Sequence, residues 1–169
     1  MIDSRQENSI QSSSVNCILF SIAGVPFALD AFDILSISRL PTDLVVNDVN
    51  SVIVGASALG KYADLPLIYV HGLLGGDMTD FEAGSAVLVL PLNVESGSIN
   101  VGLLVDHVDE VAPVGSSSIR PTPWFGRDIT IPYISKVISI NDDPRFFLQL
   151  TSLLPSAVLG ELSDSGNTR

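Results

Sequence analysis

The sequence predicts an all-β fold, a barrel or a sandwich, closed by a short C-terminal helix. Apolar runs of strand length recur along the chain, rich in Val, Ile, Leu and Phe. Turn signals such as Ala23-Gly24, ESGS (95–98) and NDDP (141–144) separate them at close spacing. Helical character is confined to the end, where TSLLPSAVLGEL (151–162) carries Thr151 as a candidate cap and Pro155 as a limit. Two intertwined β-lobes fit about 140 ordered residues better than one large sheet.

The elements follow in order. CILFSI (17–22) and VPFALD (25–30) form a hairpin about Ala23-Gly24. AFDILSISRL (31–40) reads as a strand, because its apolar residues lack a helical stripe, and Pro41 ends it. VNSVIVGAS (49–57) and LPLIYV (65–70) are strands, and residues 71–84 are a glycine-bounded connection. SAVLVLPLNV (85–94) turns through ESGS into INVGLLVDHVDEVAPV (99–114), a long extended run. The proline-rich residues 116–132 read as a loop. YISKVISI (133–140) and RFFLQL (145–150) are the last strands. The domain therefore spans 16–155, with a polar, flexible tail at 1–15 and a short helix and flexible tail at 156–169.

Apolar residues make up 46% of the 169 positions and charged residues 16%, enough apolar content for a packed core. The net charge is −11, and Lys61 is the only Lys or Arg between Leu40 and Ile119. Such a surface repels phosphate backbones and anionic lipid heads, so nucleic acid and membrane are poor partners. The one cysteine, Cys17, permits no internal disulfide and fits a reducing compartment. No apolar run reaches the roughly 18 residues of a membrane helix, and the first 16 residues lack a positive signal-peptide start. A cytoplasmic location is expected.

Several short stretches spell catalytic motifs. Gly55-Ala-Ser-Ala-Leu-Gly60-Lys61-Tyr62 matches the phosphate-binding loop except at its last place. Tyr62 cannot replace the magnesium-binding hydroxyl, and Pro66 opposes the helix whose N-terminus the motif needs. The same stretch misses the nucleophile elbow by one residue, and Asp164-Ser165-Gly166 lies in a polar tail. His107 sits among Asp106, Asp109 and Glu110, but in extended chain Asp106 and His107 face opposite sides. A solvated acidic edge is the expectation there, with no cofactor or metal. No nucleophile–base pair stands out, so an enzyme is not expected.

Val101-Gly102-Leu103-Leu104-Val105-Asp106-His107-Val108-Asp109-Glu110-Val111 resembles the V-G-L-x-V-D-x-V-x-x-V signature of the CheW-like domain, found in chemotaxis coupling proteins and in the regulatory domains of their histidine kinases. The resemblance runs over about residues 17–154. It includes Leu19-Phe20-Ser21-Ile22 with Val25-Pro26-Phe27-Ala28-Leu29-Asp30, the ungapped Leu65–Gly75 segment, and the closing Phe146-Phe147-Leu148-Gln149-Leu150. It implies two small, intertwined five-stranded β-barrels of SH3-like form. It also implies a non-enzymatic adaptor of chemosensory or pilus-motility two-component signalling, coupling a CheA-type histidine kinase regulatory domain to the cytoplasmic tip of a chemoreceptor. Ile34, Ser36 and Ile37 fall on the family's kinase-facing strand, with Ser36 where the family carries Glu. Lys61 and Tyr62 fall on its receptor-facing N-L-R-G segment, with Lys61 in place of Arg. Tyr69 and Gln149 each replace a family Asp. These departures leave open a diverged module that binds another signalling partner or itself.

Overall fold

The computed structural model describes residues 14–40, 52–59, 62–75, 85–121 and 131–167. Its strands are β1 (Ser14–Ile22), β2 (Val25–Asp30), β3 (Ser36–Arg39), β4 (Ile53–Leu59), β5 (Tyr62–Ile68), β6 (Ala86–Val94), β7 (Gly97–Val105), β8 (His107–Gly115), β9 (Ile119–Pro121), β10 (Ile134–Ile140) and β11 (Asp143–Leu148). Two helices end the chain, α1 (Leu150–Leu153) and α2 (Ser156–Asn167). The all-β class with a terminal helix is as the sequence predicts.

The strands form a six-stranded sheet, ordered β8-β1-β2-β11-β10-β9, and a five-stranded sheet, ordered β3-β6-β7-β5-β4. The resemblance implies five strands in each barrel. The extra strand is β9, three residues within the stretch read from sequence as a loop, paired through Ile119, Arg120 and Pro121 to β10. Two-residue turns make the tightest hairpins. Ala23-Gly24 and Asn141-Asp142 all have positive φ, the geometry that matches the twist of the flanking strands.

Alternation of side chains builds the interior. In β1, Ile18, Phe20 and Ile22 enter a core shared by both sheets, where they meet Phe27, Ile68, Leu88, Leu90, Val101, Leu103 and Val105. The intervening Cys17 and Leu19 face a smaller cluster on the other side of the six-stranded sheet, with Ala28, Val114, Ile138 and Phe147. The five-stranded sheet has its own second cluster of Leu65, Leu67, Tyr69, Val87, Val89 and Leu104. Both sheets are therefore apolar on both faces, which explains strands written as continuous hydrophobic runs.

Four expectations from the sequence change. Residues 31–40 are not one strand: Ala31–Asp33 is a 3₁₀ turn, capped by Asp30, whose carboxylate accepts from Phe32 N at 2.9 Å. The 99–114 run is two strands in different sheets, parted at Asp106. Thr151 lies inside α1, whose N-cap is Gln149 without a side-chain hydrogen bond. The C-terminal helix continues to Asn167, past residue 162 where the helical stretch read from the sequence ends. Leu162 holds it down, fully buried in the shared core, and Ser163 bonds reciprocally with Ser96 in the β6–β7 turn, both at 3.1 Å. At the other end, Ser14 and Val15 already pair with β8.

Cys17 is fully buried. Burial, reinforced by Asp30 and opposed by Lys136, pushes its thiol pKa above the ordinary value. The unfolded chain thus loses this proton at lower pH than the folded one. The thiol's contribution to stability is constant below the ordinary thiol pKa and falls as pH rises through and beyond it. At mildly alkaline pH we expect a thiol reagent such as Ellman's to leave the native protein unmodified and to react fully in urea. Rapid modification of the native protein would contradict this burial.

Candidate functional site

The chain leaves β2, makes the Ala31–Asp33 turn and crosses to the five-stranded sheet as β3, an end strand. Ile34 N donates to Ala31 O at 3.2 Å, and Leu35 N to Val89 O at 2.8 Å, which fixes the crossing. Phe32 is 93% exposed, and Leu35 and Ile37 are 46% and 45% exposed. Ile34, half-buried, packs against the shared core, and Ser36 is also half-buried. Of the three kinase-face residues expected from the sequence, only Ile37 therefore stands at the surface. Its apolar companions are Phe32 and Leu35, which sequence reasoning missed. Period-two alternation signals Leu35, which shares a face with Ile37. Phe32 depends on the turn geometry.

Lys61 lies outside the described residues. Tyr62 opens β5, which pairs antiparallel with β4. Of the near phosphate-loop spelling, Gly55 to Leu59 lie in β4 and Tyr62 opens β5, so a strand rather than a helix follows it.

A polar cluster surrounds the Asp106 joint. Asp106 bonds His71 Nε2, and its other carboxylate oxygen accepts from Gly24 N at 3.4 Å. Asp106 N donates to Ser21 O at 2.9 Å. His71 is buried and stacks on Tyr69, ring centroids 4.2 Å apart and planes 23° apart. Tyr69 is itself buried, and burial followed by the nearby Asp106 raises its phenol pKa. The Asp-to-Tyr change thus sits inside the five-stranded sheet's own cluster rather than on a contact surface. Gln149, the other departure, is exposed.

On β8, His107 Nε2 lies 3.0 Å from Asp109 Oδ1, and Ser21 Oγ lies beside the ring. The trio has the composition of a hydrolase triad but not its geometry. Ser21 Oγ is 3.3 Å from Nε2 and 3.4 Å from Nδ1, so it faces the carbon between them. A proton relay needs Ser and Asp on opposite ring nitrogens. Here Nε2 is the nitrogen nearest both. Asp109 is further engaged by Arg145, Nη2 to Oδ2 at 2.7 Å. Among the described residues no group of three or more His, Cys, Asp or Glu side chains could hold a metal ion.

Comparison with known proteins bears on this arrangement. The CheW-like domain family model matches residues 16–158, most of the chain. The chain belongs to the CheW-like domain family. No curated protein matches it. Among solved structures, it is similar to the scaffolding protein TtCheW from Thermoanaerobacter tengcongensis, at 21% identity and a TM-score of 0.60. That match covers 80% of this chain and 89% of the other. This likeness supports the fold of the CheW-like domain.

The geometry also gives the family signature its physical content. Val101, Leu103 and Val105 point into the shared core of the CheW-like domain, and Leu104 into the smaller cluster. Gly102 shares the side of Leu104, where a Cβ would meet Leu67 and Val87 at 2.8 Å and Leu65 at 3.1 Å. The signature is therefore first a packing pattern: β7 is central in its sheet, and glycine is what lets it approach its neighbours.

Proposed function

We propose that this chain is a non-enzymatic adaptor of chemosensory signalling that binds a CheA-type histidine kinase regulatory domain through β3 and its preceding turn. The observation that carries this reading is the exposed apolar set of Phe32 in the turn, Leu35 just before β3, and Ile37 on β3, an end strand of a CheW-like domain. Large apolar side chains grouped at a sheet edge beside polar residues have the composition of a contact surface. The structural neighbour is described as a scaffolding protein, which agrees with an adaptor role. The second contact, to the cytoplasmic tip of a chemoreceptor, would use the β4–β5 hairpin with Lys61 and Tyr62. Among the described residues no helix is long and apolar enough to cross a membrane. The proposed site of action is the cytoplasm.

Calorimetric titration against the regulatory domain of the histidine kinase from the same cell tests this. Micromolar or tighter binding is expected. Ile37→Asp should weaken it at least about tenfold, because an apolar anchor becomes a desolvated charge. Lys61→Glu should spare kinase binding and weaken receptor recruitment. Binding that ignores Ile37→Asp would move the kinase contact away from β3, and no binding at all would favour a diverged module with another partner.

A further inference from the structure

The C-terminal helix is held differently from the rest of the domain. Each strand is tied to a neighbour by a backbone ladder. α2 lies over β6 and β7 without one. Among its described apolar side chains Leu162 alone is fully buried, while Val158 and Leu159 are half-buried against the shared core and Ala157 is exposed. Ser163 adds the paired hydrogen bonds with Ser96 in the β6–β7 turn. Ser156, Gly160, Glu161 and Asp164 are exposed.

Taken off that surface, α2 has little to keep it helical. Its 12 residues are too few for a stable isolated helix. Gly160 weakens it further. Asp164 lies in its C-terminal half, and no basic residue stands in the last turn to offset the dipole. Docking and helix formation are thus one event. Leu154-Pro155 sets its boundary. Leu154 is buried and extended, φ −75° and ψ 133°, the conformation favoured before proline, and its N–H donates to Leu150 O at 3.1 Å. Pro155 has no N–H to tie α2 to α1. The helix starts beyond it, with Val158 N and Leu159 N donating to Pro155 O at 3.0 and 3.1 Å.

We propose that α2 is a strap that leaves the β6–β7 face as one unit, from Pro155 onward, while both sheets stay closed. The strands are held by ladders and by several fully buried side chains each, whereas one fully buried apolar side chain anchors α2, so its opening is a smaller event than unfolding the domain. Release bares the turn end of β6 and β7, where Leu92 pairs with Ile99 and Val94 with Gly97. Leu92 is buried there, and Val94 and Ile99 are half-buried against the shared core. The chain thus carries an apolar surface that it covers itself. Neither β3 nor a kinase takes part.

Hydrogen–deuterium exchange of the full chain under native conditions reads this directly. The amides of residues 160–164 should share one protection, about 100-fold weaker than that of residues 101–105 in β7. Gly102→Ala should speed exchange in β7 about tenfold and leave α2 at its wild-type rate, because opening the strap does not disturb β7. Leu162→Ala should speed exchange in α2 at least about tenfold. Gly160→Ala, where the added Cβ meets nothing within 4 Å, should slow it about threefold and leaves the core intact. Exchange in α2 that rises together with β7 in Gly102→Ala would mean that the helix opens only with the whole domain, which overturns the strap. Protection that declines steadily from residue 160 to 164 would be fraying from the chain end and would overturn it too. So would an α2 whose exchange ignores Gly160→Ala.

Discussion

Gly102→Val should lower the unfolding free energy by about 3 kcal/mol, and Gly102→Ala by about 1–2 kcal/mol. Gly102 pairs with Val89 of β6 on one side and with Leu67 of β5 on the other. An added Cβ would stand 2.8 Å from Leu67 Cδ2 and from Val87 Cγ1, and 3.1 Å from Leu65 Cδ2. These are ends of flexible side chains, but all three residues are at most 2% exposed. They have no solvent to move into, so the strands must separate or the side chains leave their rotamers. For a chain of this size the valine variant should melt about 6–12 °C lower. Gly160 is the control: it lies in α2, and a Cβ there meets nothing within 4 Å. Gly160→Ala should stabilise by about 0.5–1 kcal/mol through helix propensity. Urea unfolding of the three variants checks both signs. A valine variant as stable as the parent would mean that β7 does not sit as close to its neighbours as described.

Arg145→Met should cost about 2–3 kcal/mol, for a different reason. From β11 the guanidinium reaches across the six-stranded sheet. Its Nη1 donates to Phe20 O in β1 at 3.3 Å and to Phe27 O in β2 at 3.4 Å, and its Nη2 to Asp109 in β8 at 2.7 Å. One planar head thus ties three strands to the fourth. Methionine keeps much of the volume and removes this donor from two carbonyls and from Asp109 Oδ2, whose Oδ1 keeps His107. The pair is partly open to water, with side chains 19% and 28% exposed, so the cost stays below that of a fully buried charge. Arg145→Lys should lie between the two, because a single ammonium cannot serve three acceptors in the same fork. Denaturant midpoints rank the series. A methionine variant within about 0.5 kcal/mol of the parent would show that Arg145 is a surface ion pair rather than a clamp.

The two positions differ in how visible they are from sequence. Gly102 stands inside a family signature, and its neighbours Val101, Leu103 and Val105 read as core by alternation, as the structure has them. Arg145 begins an apolar run and gives no local hint of Asp109, which lies 36 residues away in another strand. The kinase-face expectation shows the same division. Of the residues expected there, Ile37 is exposed and Ile34 packs inward, while Phe32 and Leu35, which the sequence reading did not single out, are also exposed.

Short apolar runs, turn residues and the absence of a helical stripe determined by themselves the all-β class and most strands. These are local properties, carried by neighbours along the chain and expressed wherever the strand is placed. Only the tertiary structure decided that the 99–114 run changes sheets at Asp106, that a cap by Asp30 turns Phe32 outward, and that Arg145 spans four strands. Each depends on which strands lie side by side. That is fixed by pairing between residues far apart in sequence, and by the joint burial of both sheets against one core.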